Sequence, residues 1–225
     1  MKKYKYDEDY FNIIDTEEKS YFLGLIASDG CVINNEVRKM LTLKLHIKDK
    51  HILESMLLSI KSEGKIWYHN QRNICEIKFS GEKIVKDLEK YHITPNKTKI
   101  ITYPEIDPNF DKHFIRGYFD GDGCIRINID KRDNSIRGDL RIVSGSISML
   151  ESINQKMNCL FNTNMNKLYG PKDKDFKYIG WAGMTDIEKI YYGMYGNSKI
   201  FLKRKKEIFD NVIELIKNKK KYRKK

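Results

Sequence analysis

The stretch Gly117–Tyr118–Phe119–Asp120–Gly121–Asp122–Gly123 follows an apolar run with two successive Asp-Gly pairs. An earlier segment, Phe22–Leu23–Gly24–Leu25–Ile26–Ala27–Ser28–Asp29–Gly30, has the same layout. In both copies a glycine precedes a small residue by four positions, and an Asp-Gly pair, a cysteine and a β-branched residue follow. The matching aspartates, Asp29 and Asp122, are 93 positions apart. This doubling indicates a chain built from two related halves.

The composition favours a globular protein that binds a polyanion. The 225 residues, 40% of them hydrophobic, suffice for one large domain or two small ones. Lys and Arg number 43 against 31 Asp and Glu, a net charge of +12 that points to nucleic acid. No apolar run approaches the roughly 20 residues of a membrane helix, and no signal peptide is apparent at the N-terminus. We therefore expect a cytoplasmic or organellar-matrix protein without a membrane partner, of phage, bacterial or organelle origin.

The cysteines argue against a zinc or redox motif. Cys31, Cys75, Cys124 and Cys159 form no Cys-x-x-Cys pair, and the five histidines form no His-Glu-x-x-His. We expect reduced, buried thiols.

Hydrophobic periodicity predicts the order helix, two strands, helix, two strands, helix in the first half. The strand over 41–47 alternates leucines and isoleucine with polar residues, so one of its faces is basic. Gly30 is expected to end the first helix, as glycine often does. The predicted elements are a helix over 16–28, the strand over 41–47, a helix over 49–60, a hairpin of 65–69 with 74–79, and a helix over 82–91.

The second half repeats this order from Lys112 onwards. Counting back from the shared Leu-Glu-Ser of the next helix, Lys44 corresponds to Arg141. The predicted elements are a helix over 112–121, strands from 125 and over 140–143, a helix over 147–161, a hairpin of 165–169 with 178–182, and helices over 186–195 and 201–219.

The predicted fold class is α+β, with two pseudo-symmetric αββαββα subdomains joined at a helix–helix interface. Each subdomain is expected to be an antiparallel four-stranded sheet covered by helices on one face. Residues 1–95 form the first subdomain with its N-terminal arm, and the proline-containing residues 96–111 form a linker. Residues 112–225 form the second subdomain with a basic C-terminal helix and tail.

The small residues of each motif predict how the halves meet. Gly24 with Ser28, and Gly117 with Gly121, put small side chains one turn apart on one helix face. Such faces let two helices pack with their backbones unusually close. The aspartates that follow would then emerge side by side at the ends of the two helices.

Two carboxylates in this position suggest a metal site. One Asp-Gly pair at a helix end is most often only a cap, but two copies with matching spacing indicate a functional site. The helix dipole disfavours Asp29 and Asp122 at helix C-termini by about 0.3–1 kcal/mol, and the carboxylates repel each other. Mg²⁺ takes carboxylate and carbonyl oxygens and completes its shell with water or phosphate. A pair of such sites can hold the attacking water and the leaving oxygen of a phosphodiester.

On these residues the sequence resembles the LAGLIDADG homing endonucleases, specifically the monomeric members with two motifs. Phe22–Gly30 and Ile115–Gly123 look like the family's two nonapeptides. The resemblance covers roughly residues 16–217, because both halves also have the family's αββαββα order. It implies a site-specific, Mg²⁺-dependent DNA endonuclease that cuts both strands of a long, non-palindromic target.

The resemblance also implies roles for the motif residues. The last aspartate of each motif, Asp29 and Asp122, would bind the catalytic metals, with help from the backbone carbonyls of Ser28 and Gly121. We expect Mn²⁺ to substitute for Mg²⁺ and Ca²⁺ to support DNA binding without cleavage.

Two departures from the family pattern suggest unequal halves rather than an inactive enzyme. Ala27 replaces the acidic residue that is common at the sixth motif position, where the second copy has Asp120. Arg116 and Leu23 stand where the family usually has a small second residue. Neither departure changes the metal-binding aspartates.

The family also places a lysine near each active site, where it orders solvent or stabilises the phosphate. Lys97, in Pro95–Asn96–Lys97–Thr98, and Lys205, in Leu202–Lys203–Arg204–Lys205, are the candidates. The alternative is that each is one lysine among many on a basic surface.

Polar residues of the predicted strands are the candidates for contacts with double-stranded DNA, since a two-stranded ribbon fits the major groove. Phosphate contacts should dominate the affinity, so any one residue can be a phosphate contact rather than a base reader. The candidates are Asn35, Lys44, His46, Lys65, Trp67, His69, Arg72 and Lys78 in the first half, and Arg126, Asn128, Asp130, Arg132 and Arg141 in the second.

Two other functions remain open at this stage. The same basic scaffold could bind intron RNA as a maturase, or bind DNA as a regulator with an inactive nuclease site. The retention of both aspartates favours cleavage over either alternative.

Overall fold

The helices and strands of the chain follow the predicted doubled order. The computed structural model describes residues 4–129 and 136–222, without the side chains of 128, 129, 136, 137 and 219–222. The first half is α1 (Glu17–Asp29), β1 (Gly30–Asn34), β2 (Lys39–His46), α2 (Lys50–Ser59), β3 (Trp67–His69), β4 (Ile74–Ser80) and α3 (Glu82–Lys90). The second half is α4 (Asp111–Asp122), β5 (Gly123–Ile129), β6 (Ile136–Ser144), α5 (Ile147–Phe161), β7 (Lys177–Trp181), α6 (Met184–Tyr195) and α7 (Lys203–Tyr222).

The first sheet is antiparallel, with the strand order β1-β2-β4-β3. Leu41, Leu43 and Leu45 of β2 are buried and lie opposite Phe79, Ile77 and Cys75 of β4. Lys44 and His46, on either side of Leu45 in the chain, are exposed on the other face, where Thr42 is buried. This alternation buries one face against the helices and leaves the other polar, as the period-two pattern predicted.

The second sheet has the strand order β5-β6-β7, and the expected fourth strand over 165–169 is reduced to one bridge between Tyr169 and Tyr178. The amide of Asn154 bonds both backbone groups of Asn166. The Asp186 carboxylate accepts from the backbone and side-chain nitrogens of Asn164. Side chains of α5 and α6 thus occupy backbone groups that a strand would use. The α+β fold class is confirmed, with this shorter second sheet.

The strand register of the two halves differs from the sequence count by two residues. Gly30 pairs with Leu43, and Gly123 pairs with Ile142. Thr42, rather than Lys44, is therefore the counterpart of Arg141, and the predicted correspondence was wrong. A shift of two residues preserves the face of each side chain, so Lys44 and Arg141 still lie on the polar faces.

The halves meet where α1 packs against α4. A Cβ atom on Gly24 would lie 2.0 Å from the carbonyl oxygen of Phe114, and one on Gly117 would lie 2.0 Å from that of Tyr21. Any side chain at either glycine would collide with the opposing backbone. The small residues therefore set the closeness of this interface, as the sequence predicted.

Three smaller expectations need correction or completion. Gly30 ends α1 as expected, and it does so in an extended conformation with φ of −72°; a Cβ there would lie 2.6 Å from the carbonyl oxygen of Ile26. The cysteines are free thiols as expected, but only Cys75 is buried, while Cys31 and Cys159 are exposed. Across the described residues, no helix is both long enough and apolar enough to span a membrane.

Candidate active site

Asp29 and Asp122 are the last residues of α1 and α4, and the α1–α4 contact brings them together. A Cβ on Gly121 would lie 2.0 Å from Ser28 Oγ and 2.9 Å from Asp29 Oδ2, so the end of α1 contacts the end of α4. Desolvation by the surrounding protein, and then the charge of Asp29, raise the pKa of Asp122 to about 6. Desolvation also raises the pKa of Asp29. Both carboxylates, although they reach the surface, thus hold a proton more readily than an ordinary aspartate does.

The two predicted lysines bind the carbonyl groups that follow the two helices. Lys97 Nζ donates to the carbonyl oxygen of Gly30. Lys205 Nζ donates to the matching carbonyl of Gly123 at 2.7 Å, and to those of Phe119 and Gly121 at 2.6 and 3.1 Å. Both lysines are buried. They are therefore built into the motif ends rather than spread over a basic surface.

Burial and neighbouring charge act against each other at these lysines. Desolvation lowers the pKa of Lys205 to about 8 and also lowers that of Lys97, while Asp29 and Asp122 raise both. In return, the lysines act to lower the pKa of each aspartate. The site therefore contains two mutually repelling carboxylates with two ammonium groups next to them.

The oxygen donors at this site fit a hard divalent cation. The carboxylates of Asp29 and Asp122 and the carbonyls of Ser28 and Gly121 are the donor types that Mg²⁺, Mn²⁺ and Ca²⁺ prefer. The Gly121 oxygen also accepts from Lys205, but a carbonyl has a second lone pair. Within residues 4–129 and 136–222, no group of three or more His, Cys, Asp and Glu residues could hold a metal by itself. A cation here would need water or phosphate oxygens as its remaining ligands.

Asp120, the more conspicuous acid of the second motif, is fully buried and structural. It accepts hydrogen bonds from the hydroxyls of Tyr21 and Tyr195 at 2.8 and 2.6 Å and from the backbone N–H of Leu202 at 2.7 Å. These bonds fasten α1, α6 and the start of α7 to α4. Its counterpart, Ala27, lacks any such group, which explains in part why the halves are unequal.

Arg116, the second departure from the motif, is also buried. Its guanidinium donates to the carbonyls of Ile200 and Met194 and to the carboxylate of Glu17. It ties α4 to α6, to the segment before α7 and to α1, and does not reach the aspartates at the helix ends.

Most candidate DNA contacts of the first half lie on or beside the polar face of the first sheet. Lys44 and Trp67 lie on either side of Glu76 across the strands. The side-chain Oδ1 of Asn35 accepts from the backbone N–H groups of Val37 and Arg38, so this side chain also stabilises the β1–β2 turn. The exposed candidates are Asn35, Lys44, His46, Lys65, Trp67, His69, Arg72 and Lys78.

Glu76 belongs to this polar face but was missed as a functional residue. The alternation over 74–79 predicts that Glu76 faces outward from the core, yet it is 3% exposed. His69 Nε2 and Lys78 Nζ lie 2.8 and 3.3 Å from its Oε2, and Lys44 Nζ lies 3.7 Å from its Oε1. Burial acts to raise the pKa of Glu76, but these partners together lower it. The cationic side chains around Glu76 cover its carboxylate, and the alternating pattern of the strand could not predict this burial.

In the second sheet, Arg126 is exposed on β5, as predicted. Arg141 donates to Asp139 at 2.7 Å and lies 4.7 Å from the centre of the Tyr178 ring. Asn128 lies in β5, but its side chain is not described. Asp130 and Arg132 lie outside the described residues.

An ion pair that the sequence analysis did not identify joins the two halves beside the aspartates. Arg204 Nε donates to Asp49 Oδ2 at 2.8 Å. Both residues line a cleft of about 270 Å³ together with Asp29, Lys44, Leu45, His46, Ile74 and Gly121. Asp49 begins the helix predicted over 49–60, and only the folded chain brings it to Arg204, 155 positions away.

The sequence matches no protein-family model and no curated protein. The structure, in contrast, is similar to solved structures of LAGLIDADG homing endonucleases. For I-LtrWI bound to target DNA the TM-score is 0.64 with 16% identity, covering 94% of this chain and 92% of that one. For I-GzeII in complex with its DNA target the TM-score is 0.64 with 15% identity, covering 89% and 91%. For I-AabMI bound to uncleaved DNA it is 0.61 with 16% identity, covering 88% and 91%.

At these identities the similarity concerns the fold, and it extends over nearly the whole of each chain. The two motif helices at the centre and a sheet on either side are what the sequence resemblance led us to expect. This chain has the fold of the LAGLIDADG homing endonucleases.

Proposed function

We propose that this protein is a site-specific DNA endonuclease that makes a double-strand break in a long, non-palindromic target. The observation that carries the proposal is the doubled site: Asp29 and Asp122 at paired helix ends, with Lys97 and Lys205 on matching carbonyls. Similar structures solved with DNA support the choice of substrate.

Asp29 and Asp122, with the carbonyls of Ser28 and Gly121, would hold Mg²⁺ in this function. A bound divalent cation supplies Lewis-acid stabilisation of the charge that develops on the scissile phosphate. Mn²⁺ would substitute for Mg²⁺, and Ca²⁺ would support binding without cleavage. The raised pKa values of both carboxylates and their position at helix C-termini support a cationic occupant.

Lys97 and Lys205 would provide fixed positive charge beside the scissile phosphates. Their hydrogen bonds to the motif carbonyls hold each ammonium group in place before substrate arrives. Preorganised charge of this kind stabilises a transition state without further reorganisation. Since the pKa of Lys205 is about 8, this side chain remains largely protonated at neutral pH.

The polar faces of the two sheets would bind the two halves of the target. The exposed side chains of Lys44, His69 and Lys78 on the first sheet, and the exposed Arg126 and half-buried Arg141 on the second, suit the phosphates and base edges of a major groove. Because one chain contains both motifs, it would act as a monomer. Because the halves differ in sequence, the target would be non-palindromic.

A maturase that binds intron RNA, or a regulator with an inactive site, is less favoured. Neither function would need two mutually repelling carboxylates at helix ends with a buried lysine beside each one.

Selection of cleaved molecules from a randomised DNA library, in Mg²⁺, tests the proposal and identifies the target. Asp29→Asn and Asp122→Asn should each abolish double-strand cutting, while DNA binding in Ca²⁺ persists. Lys86→Ala, a surface change on α3, is the control and should cut like the wild type. Full activity in either aspartate variant would overturn the metal assignment, and the absence of any cut product from the wild type would overturn the nuclease.

A further inference from the structure

Asp49 and Arg204 form an ion pair that crosses from one half to the other. Asp49 immediately precedes α2, Arg204 lies in the first turn of α7, and the bond joins Nε to Oδ2 at 2.8 Å. The Asp49 side chain is 2% exposed, whereas that of Arg204 is 49% exposed. The carboxylate is therefore an internal anchor, and the guanidinium is the part that solvent or a ligand can reach.

The cleft at this pair connects the aspartate site to the polar face of the first sheet. Its lining includes Asp29 and Gly121 of the two motif ends as well as Lys44 and His46 of β2. Arg204 therefore lines the same cleft as the aspartate site and the cationic residues of the sheet, where a bound nucleic-acid strand would contact it.

The bonding of Arg204 leaves it able to bind a phosphate. Its bond to Asp49 uses Nε, so the two Nη groups are not committed to that bond. A guanidinium offers its donors in a rigid planar fork that matches two phosphate oxygens. Because Asp49 holds the side chain in place, less rotamer freedom would be lost on binding.

At the two equivalent positions, both within the described residues, the chain has no such pair. The residue before Lys97 is Asn96, where Arg204 precedes Lys205. The residue before α5 is Ser146, where Asp49 precedes α2, and the Ser146 hydroxyl donates to the carbonyl of Ile101 at 2.6 Å. The arginine is thus present at one of the two pseudo-symmetric positions.

We propose that Arg204, positioned by Asp49, binds the scissile or adjacent phosphate of one DNA strand only, so that the two strands are cleaved through unequal sites. This inference rests on the proposed nuclease function.

Strand-resolved cleavage kinetics on a supercoiled plasmid carrying the selected target provide the test. Arg204→Ala should slow one strand by about tenfold or more, while the other strand changes by less than about twofold. Nicked circles, cut always in the same strand, should therefore accumulate. Asp49→Asn should slow the same strand less, because the guanidinium remains but is no longer held by a full charge. Lys86→Ala should leave both strand rates unchanged.

A second measurement requires no metal. In EDTA, Arg204→Ala should reduce the slope of log affinity against log salt by about 0.9, the value of one phosphate contact, whereas Asp49→Asn should leave the slope nearly unchanged. Should Arg204→Ala not fold, Arg204→Lys is the substitute, since it keeps the charge but lacks the planar fork.

The outcomes separate the two proposals. Equal slowing of both strands, with a lower melting temperature, would mean that the pair only fastens α2 to α7 and would overturn the inference. Unchanged rates for both strands would overturn it as well. A wild-type protein that cuts neither strand would instead overturn the proposed function.

Discussion

Gly24 and Gly117 occupy equivalent positions on the two sides of the α1–α4 contact, and each lies directly against the backbone of the other helix. The atoms that a Cβ would meet at 2.0 Å are main-chain oxygens, those of Phe114 and Tyr21, which cannot rotate away. The separation of the helices, and with it the separation of Asp29 and Asp122, therefore depends on these two glycines.

Replacing either glycine should destabilise the protein and separate its active-site halves. We expect Gly24→Ala and Gly117→Ala each to reduce the free energy of unfolding by about 3 kcal/mol or more, because relief of the clash requires movement of backbone. Gly183→Ala is the matched control, since the nearest atom to its new Cβ would be 4.0 Å away; it should cost less than about 1 kcal/mol. Urea unfolding measures both. Equal losses for all three variants would refute the close contact.

The stability of the metal-free protein should depend on pH because the pKa of Asp122 is raised in the folded state. Its folded pKa, about 6, lies above the unfolded value of 3.8, so protonation favours the folded state. The corresponding stability is fully present below pH 3.8 and is lost as the pH rises through 6. Asp122→Asn removes this dependence. The melting temperature of the variant minus that of the wild type should therefore grow from pH 4 to pH 7 without metal, and Mg²⁺ should reduce the difference at pH 7. A difference that stays constant with pH would contradict the assignment.

The pattern of small and apolar residues was enough to predict the helix pair and the faces of the strands. Period-two alternation fixes which side of a strand is buried, so even a register error of two residues left Lys44 and Arg141 on the correct face. The predicted bounds of α5 match the structure to the residue, and in the structure Ser146 caps one end while Asn162 adopts a left-handed conformation at the other.

What the sequence could not predict depends on contacts between distant segments. The burial of Glu76 results from side chains on β2, β3 and β4 that converge on it. Hydrophobic periodicity within one strand gives no information about such contacts between strands. The Asp49–Arg204 pair forms only when the chain fold brings the beginning of α7 to the beginning of α2, where His51 Nε2 also lies 3.3 Å from the Phe201 carbonyl oxygen. The shortened second sheet depends likewise on amide side chains of α5 that bond a neighbouring loop.

Asp120 and Asp122 should respond oppositely to mutation although they are two residues apart. Asp120→Ala would leave two tyrosine hydroxyls and one backbone N–H without their acceptor, at about 1–3 kcal/mol each. We expect a loss of about 3 kcal/mol or more in urea unfolding, whereas Asp122→Asn should be neutral or stabilising without metal. A stable Asp120→Ala variant would show that these hydrogen bonds do not hold α1, α6 and α7 to α4.

Glu76 should limit how tightly the first sheet binds DNA of any sequence. Its carboxylate lies within 3.7 Å of nitrogen atoms of Lys44, His69 and Lys78, so part of the positive charge of that face is neutralised internally. Glu76→Gln keeps the shape and removes the charge, which frees both lysines for phosphate contacts. Affinity for non-target DNA should rise several-fold and its salt slope should steepen by about 1–2, since each added contact contributes about 0.9. The ratio of target to non-target affinity should fall, because phosphate contacts carry no sequence information.

Glu82→Gln on α3 is the matched control. It loses its ion pairs with Lys39 and Lys86 on the helix-covered side of the sheet, and it should leave the slope unchanged. Equal slopes for both variants would mean that the carboxylate of Glu76 does not restrain the lysines around it.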